Sequence, residues 1–342
     1  MPHDLADYTP RGPHAVGVTT LAIPDPEREG RVLETDIWYP ARERTPTPDA
    51  ATADHPFGRP HAALPDAPPG DGPFPALVFS HGNSGLRRQS TFLTTHLASW
   101  GFVVVAPDHV GNTFFEMLQI RDDETRNHVH LDARGNRPRD LVAALDAVLQ
   151  ADGRWPTVDP LRVGALGHSF GGWTAFKMPR RDARVRAVCG LAPASEPFVG
   201  RKAFDPEELP FDRSLPLLVV AGRDDVLVDL DTSVHPLFAR TRAPHALVAV
   251  DGCDHFHFCD GVELLHTMHE RNPRERQPRP TRPYAELLPE ERVHRILRTL
   301  VTGFFADALG ERGDADPAPS PSRLAQLDPS LERLTPRAVE SA

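Results

Sequence analysis

A chain of 342 residues is too long for one minimal domain and suits one large domain with appendages. Hydrophobic residues at 39% and charged residues at 25% are the proportions of a soluble globular protein that can bury a core. The balance of 38 Lys and Arg against 48 Asp and Glu, a formal net charge of −10, disfavours nucleic acid and anionic membrane surfaces as partners.

No run of about 18 apolar residues is present for a membrane span. The start Met1-Pro2-His3-Asp4-Leu5-Ala6-Asp7 lacks the basic and apolar regions of a signal peptide, so a cytoplasmic location is expected. Three cysteines in so long a chain are no disulfide framework, which agrees with a reducing compartment.

Residues 1–15 lack periodicity and read as an N-terminal arm. Val16 to Ile23 and Arg31 to Tyr39 are β-rich runs on either side of a turn-forming segment that begins Pro24-Asp25-Pro26, so an antiparallel hairpin is expected. Prolines recur from 41 to 75, which excludes helix and interior strand and leaves a connection with no site in it. Phe74 to Phe79 is a continuous apolar run, the pattern of a strand buried on both faces, and a loop Ser80-His81-Gly82-Asn83-Ser84-Gly85 follows it. A helix with Phe92, Leu93, Leu97 and Trp100 on one face should stop at Gly101, before a second buried strand, Phe102 to Ala106.

The irregular stretch 107–136, with Phe114, Phe115 and Met117, is the candidate lid or pocket wall. A helix follows it, with Leu141, Leu145, Val148 and Leu149 at helical spacing. Further short apolar runs are Val163 to Leu166, Val185 to Leu191, Leu215 to Ala221 and His245 to Val250. Glu290 to Leu309 is an amphipathic helix with Val293, Ile296, Leu297, Leu300 and Phe304 on its stripe. Residues 310–342 read as a Pro-rich, disordered tail. Strands alternating with helices predict an α/β fold with a doubly wound, mostly parallel sheet and helices on both faces, in one domain over 16–309.

The chemistry gathers at Gly167-His168-Ser169-Phe170-Gly171-Gly172. An apolar run ending in Gly-x-Ser-x-Gly and passing straight into a helix is the strand, sharp turn and helix of a nucleophile elbow, in which small neighbours let strand and helix approach and leave Ser169 exposed. A serine hydroxyl needs a base within reach and a group to orient that base. In an open sheet these come from loops at the carboxyl ends of strands. The run ending at Ala221 leads into Gly222-Arg223-Asp224-Asp225, and the one ending at Val250 leads into Asp251-Gly252-Cys253-Asp254-His255. Ser, Asp, His is the chain order this elbow requires.

These four segments together resemble the α/β-hydrolase superfamily over residues 16–309. They look most like its branch of dienelactone-hydrolase-like, platelet-activating-factor-acetylhydrolase-like and cutinase-like polyesterase proteins. The resemblance implies a serine carboxylic ester hydrolase of the esterase and lipase class, working through an acyl-enzyme on a small-molecule ester without a cofactor or metal. Thioester, lactone or amide cleavage by the same triad is the alternative, as is a ligand-binding homologue that turns nothing over. The cutinase-like pattern Gly-x-x-Asp-x-x-Val places the triad acid at Asp225, with Asp224 as runner-up, beside Ser169 and His255. Acetylhydrolase relatives take that acid from the strand after the elbow, where this chain has Leu191-Ala192-Pro193. Dienelactone hydrolases proper carry Cys where this chain has Ser169. The implied oxyanion donors are the backbone N–H groups of Phe170 and Asn83, with His81 and Gly82 shaping the loop. Phe114, Phe115, Trp173, Phe256 and Phe258 are candidates for the acyl pocket, against plain packing as the alternative. Cys253, His255, His257 and Cys259 would share one face if extended, so a zinc site or a Cys253–Cys259 bridge is open beside free thiols.

Overall fold

The computed structural model describes residues 8–25, 27–28, 30–42, 61–150, 152–195, 201–242, 245–271, 280–310 and 321–335. Strands β1 (Ala15–Pro24) and β2 (Val32–Ala41) form the expected hairpin, antiparallel from Ala15 opposite Ala41 to Pro24 opposite Val32. The short β3 (Ala63–Pro65) lies parallel on the outer edge of β1, a place where Pro65 removes no ladder donor that the sheet needs. Five parallel strands make the middle: β4 (Phe74–Ser80), β5 (Val103–Pro107), β6 (Val158–His168), β7 (Val185–Leu191) and β8 (Leu217–Gly222), with β9 (His245–Val250) continuing them. With β10 (Leu331–Leu334) the sheet runs β10-β9-β8-β7-β6-β4-β5-β2-β1-β3.

The strand order reverses on either side of β4, the doubly wound arrangement expected, and β5 is buried along its whole length. Helices α1 (Thr91–Ser99), α2 (Phe114–Gln119), α3 (Asp123–Leu149), α4 (Phe170–Arg181), α5 (His235–Ala239), α6 (Val262–Arg271) and α7 (Glu290–Leu309) connect the strands. A Cβ on Gly164 of β6 would meet the ring of Phe305 on α7. One on Gly190 of β7, the partner of Gly167, would meet Phe176 on α4. Gly164 and Gly167 are three residues apart in an alternating strand, so α7 and α4 cover opposite faces. Every parallel strand therefore delivers its carboxyl end to one edge of the sheet, which is where the candidate residues gather.

Two expectations are corrected. The stretch 107–136 is not irregular throughout, because α2 and the first half of α3 occupy it. Asp122 caps α3 by accepting from the Thr125 N–H (2.8 Å), well before the apolar periodicity that begins at Leu141. The tail carries regular structure too. Residues 321–335 hold α8 (Pro321–Leu327) and β10, which pairs antiparallel with β9, Leu331 opposite Val250, and covers an edge that would otherwise be open. Residues 311–320 and 336–342 of the tail, 1–7 of the arm and 43–60 of the Pro-rich connection lie outside the described residues. What is described of the arm docks on α1, where Tyr8 meets Trp100 edge-on and the His14 N–H donates to Ser99 O (3.1 Å). No described helix is long and apolar enough to cross a membrane.

Candidate active site

Ser169 ends β6 and opens α4 with φ 56° and ψ −120°, a region an L side chain enters only under compulsion. The compulsion is packing. Added Cβ atoms at Gly167 and Gly171 would overlap the carbonyls of Gly171 and Ser80, so only glycines let the strand, the helix and the β4 loop meet here. The turn is held by the Ser169 N–H donating to Leu191 O (2.8 Å) and by Ser169 O accepting from Trp173 and Ala194 (3.0 Å each).

Asp225 follows β8 and His255 follows β9, one strand further out. His255 Nδ1 lies 2.7 Å from Asp225 Oδ2, and Asp225 Oδ1 accepts the N–H groups of Leu227 and Val228 (2.8 Å each). The carboxylate is completely buried, with each oxygen satisfied, so it cannot swing away from the imidazole. Asp224 points elsewhere, to the Gly252 N–H (3.0 Å) and to Arg282 (3.4 Å). The His255 ring is 4.5 Å, centroid to centroid, from that of His168, the residue before Ser169. Burial, and then the proximity of His255, hold His168 well below the usual imidazole range, so it stays neutral.

The loop carrying His255 is anchored twice. Asp254 spreads its carboxylate over His257 Nδ1 (2.7 Å), His266 Nδ1 (2.5 Å) and the Phe256 N–H (2.9 Å). Asp260 caps α1 through the Thr91 N–H and hydroxyl (2.6 Å each). Both carboxylates sit within five residues of His255, and a run of Asp and His after a strand was the available signal.

The loop after β4 lies against the elbow, since a Cβ on Gly82 would come 3.6 Å from that of Ser169. Gln89 Oε1 accepts the Gly82 N–H (2.8 Å) and shapes the loop. The Asn83 side-chain oxygen accepts from Asn112 Nδ2 (2.9 Å) and His130 Nε2 (2.8 Å). Its N–H donates to no acceptor among the described residues. Phe170, the first residue of α4, has an N–H for which a helix supplies no acceptor. Asn112, His130, Arg137 and Asp140 escaped the sequence reading. Arg137 did leave a trace, because it occupies the buried stripe of α3 (His130, Ala133, Arg137, Leu141, Ala144, Val148), where a charge is out of place.

Of the aromatics considered for a pocket, Trp173 and Phe258 are buried. Trp173 is buried with its indole N–H on Ala203 O (2.7 Å), and Phe258 is fully buried and stacked on His168. Phe115 on α2 is 41% exposed and meets the half-buried Phe114 edge-on, while Phe256 stands edge-on to His255 at 6.0 Å. Cys253 and Cys259 are buried free thiols. A tight turn over His255–Phe258 takes the place of the extended spacing that would have aligned them with His255 and His257.

A family model described as the dienelactone hydrolase family matches residues 61–276. Lipase 1 of Moraxella sp. (strain TA144) is 29% identical over 160 residues, 47% of this chain and 41% of the lipase. Cutinase est2 of Thermobifida alba is 24% identical over 185 residues, 53% of this chain and 52% of the cutinase. The chain thus spans about half the length, or less, of these curated relatives. Among solved structures, a ferulic acid esterase from Streptomyces cinnamoneus superposes with a TM-score of 0.70 over 95% of this chain and 98% of its own, at 23% identity, and shares the fold.

Proposed function

Because this chain belongs to the dienelactone hydrolase family, we propose that it is a serine carboxylic ester hydrolase. Ser169 Oγ attacks the ester carbonyl while His255 Nε2 takes its proton. Asp225 holds the ring in the tautomer with the proton on Nδ1, so that Nε2 acts as the acceptor, and it stabilises the imidazolium that forms. Negative charge developing on the carbonyl oxygen is met by the N–H groups of Asn83 and Phe170. Fixed donors of this kind lower the barrier by about 3–4 kcal/mol each, because they need no reorientation as the charge appears. His255 then protonates the departing alkoxide, leaving an acyl group on Ser169. In the second half His255 deprotonates a water that attacks the acyl carbon, and Ser169 leaves with that proton.

The observation that carries this reading is the 2.7 Å contact of His255 Nδ1 with the buried Asp225, at the same edge of the sheet as a serine held at φ 56° on a glycine-lined turn. A protein that only binds ligands has no use for that strain. The names of the lipase and cutinase relatives point to the same bond type. Ser169→Ala is expected to lower kcat for a short-chain p-nitrophenyl ester on the order of 10⁶-fold and to abolish labelling by a fluorophosphonate. Turnover retained by a folded Ser169→Ala protein would overturn the assignment.

A further inference from the structure

Helix α3 carries a guanidinium into a place where a charge is costly. Arg137 is fully buried, and none of its hydrogen-bond acceptors among the described residues is a carboxylate. Asp140, the acid whose charge acts on it, is already taken by Arg28 (2.7 Å), Arg31 (2.8 Å) and His109 Nδ1 (2.9 Å). A buried cation hydrogen-bonded only to neutral groups is expensive and contributes little to stability for its cost. Burial draws Arg137 down to about 9, with Asp140 opposing, so it remains charged at neutral pH.

Its contacts fall on the β4 loop, on Asn112 before α2 and on the start of α4. Nη2 donates to the carbonyl of His81, one residue before Gly82, and lies 3.2 Å from Ser80 Oγ. Nη1 donates to Asn112 Oδ1 (2.6 Å), and Asn112 Nδ2 in turn holds the Asn83 side chain. On the other side, Nε donates to Thr174 Oγ1 of α4 (3.2 Å), and the guanidinium stacks on the Phe170 ring, 4.6 Å from its centre. Ser80 and His109 complete the support. Ser80 Oγ is 2.8 Å from His109 Nε2, whose Nδ1 reaches Asp140, and the His109 N–H donates to His81 Nε2 (3.1 Å). Ser80, His109 and Asp140 imitate a triad in composition, yet Ser80 and His109 are fully buried and open to no substrate.

We propose that Arg137 is the positioning residue of the oxyanion hole, a clamp that ties the β4 loop bearing the Asn83 N–H to the start of α4 bearing the Phe170 N–H. The inference rests on the ester-hydrolase reading above. The planar fork is what the task needs, since one side chain must reach His81 O, Asn112 and Thr174 in different directions while presenting a face to Phe170. Asp140 keeps its partners without Arg137, so the role is separable from the Asp140 network.

The test uses the full chain with Arg137→Met and Arg137→Lys, each checked for folding by circular dichroism. The readouts are kcat and KM for p-nitrophenyl acetate, the Ki of a trifluoromethyl ketone, which forms a tetrahedral oxyanion on the serine, and the pH profile of kcat/KM. Arg137→Met is expected to lower kcat by about 10²-fold, the scale of one misplaced oxyanion donor. Its Ki should rise in step, with KM moving less than about threefold and the midpoint of the acid limb unmoved. Arg137→Lys should lose at least about tenfold, because an ammonium cannot bridge all three acceptors. Wild-type kcat and Ki in either folded variant would overturn the clamp, as would a loss carried wholly by a shifted acid limb. Should Arg137→Met not fold, Asn112→Leu cuts the link to Asn83 with the guanidinium in place, and an unchanged Ki there is equally fatal. Ser169→Ala is run alongside. If it keeps turnover the ester-hydrolase reading falls, whereas if it is dead while Arg137→Met matches wild type only the clamp falls.

Discussion

Ser169 is held in a conformation that costs about 1–3 kcal/mol of backbone strain, and the surrounding carbonyls and glycines hold it there. The strain fixes where Oγ stands, which is what the proposed acyl transfer would need from its nucleophile. Adjacent carboxylates separate in the same way by environment. Asp225 is enclosed and bonded to His255, and Asp224 faces Arg282 and a backbone N–H. Asp225→Asn keeps the shape but offers His255 Nδ1 an amide in place of a carboxylate, and kcat should fall by about 10⁴-fold. Asp224→Asn should leave kcat within a few-fold, so a p-nitrophenyl ester assay of the two variants that ranked them in reverse would assign the acid to Asp224.

Among the elements, the junction of β6 and α4 tolerates the least change. Gly171 faces the Ser80 carbonyl, so Gly171→Ala must push α4 away from β4 and move Phe170 with it. A drop in kcat of at least about 10²-fold is expected, on the scale of a lost oxyanion donor, and is checked with the same ester. The far edge of the sheet behaves differently. Leu324 of α8 is fully buried and Asp328 gathers Arg292 (2.8 Å) and Arg295 (3.2 Å), yet neither approaches the elbow in sequence or register. Leu324→Ala should lower stability by about 2–5 kcal/mol, read as a shift in urea midpoint, while kcat stays at its wild-type value. A matching fall in kcat would mean that the β10 edge is coupled to the site.

For the whole molecule, buried imidazoles set the response to acid. His96, His109 and His130 are each pulled down to about 4 from an ordinary 6.5 by burial, helped by neighbouring arginines. Unfolded, these groups take up protons near pH 6.5, so their stabilising contribution is complete above that value and is lost as the pH falls towards 4. Asp140 adds a second step. Burial raises it, but the hydrogen bonds and charges of His109 and Arg31 outweigh burial and hold it at about 2, so its contribution is complete above about 4 and is lost between there and 2. His266 works in the opposite sense, because its bond to Asp254 raises it and its contribution is lost as pH rises. The urea midpoint should therefore fall from pH 7 to pH 5 and fall further below 4. A midpoint flat from 7 to 5 would show that the three imidazoles are not held neutral.

The sequence by itself determined the α/β class, the order of the apolar strands and the position of Ser169 between glycines, because strand burial and tight turns depend on local residue type and spacing. It also placed Asp225 and His255 behind strands, since the candidate residues had to come from carboxyl ends. Only the tertiary structure showed that Asp225 meets His255 while its neighbour Asp224 meets Gly252 and Arg282, because these partners lie 28 to 58 residues along the chain. It alone showed α8 and β10 inside a Pro-rich tail, where propensity is weak and pairing with β9 supplies the order. Arg137, Asn112 and Asp140 were legible at most as charges out of pattern. The contacts of Arg137 alone run across 25 to 57 residues of chain, and periodicity carries no information about which distant carbonyl a buried guanidinium will reach.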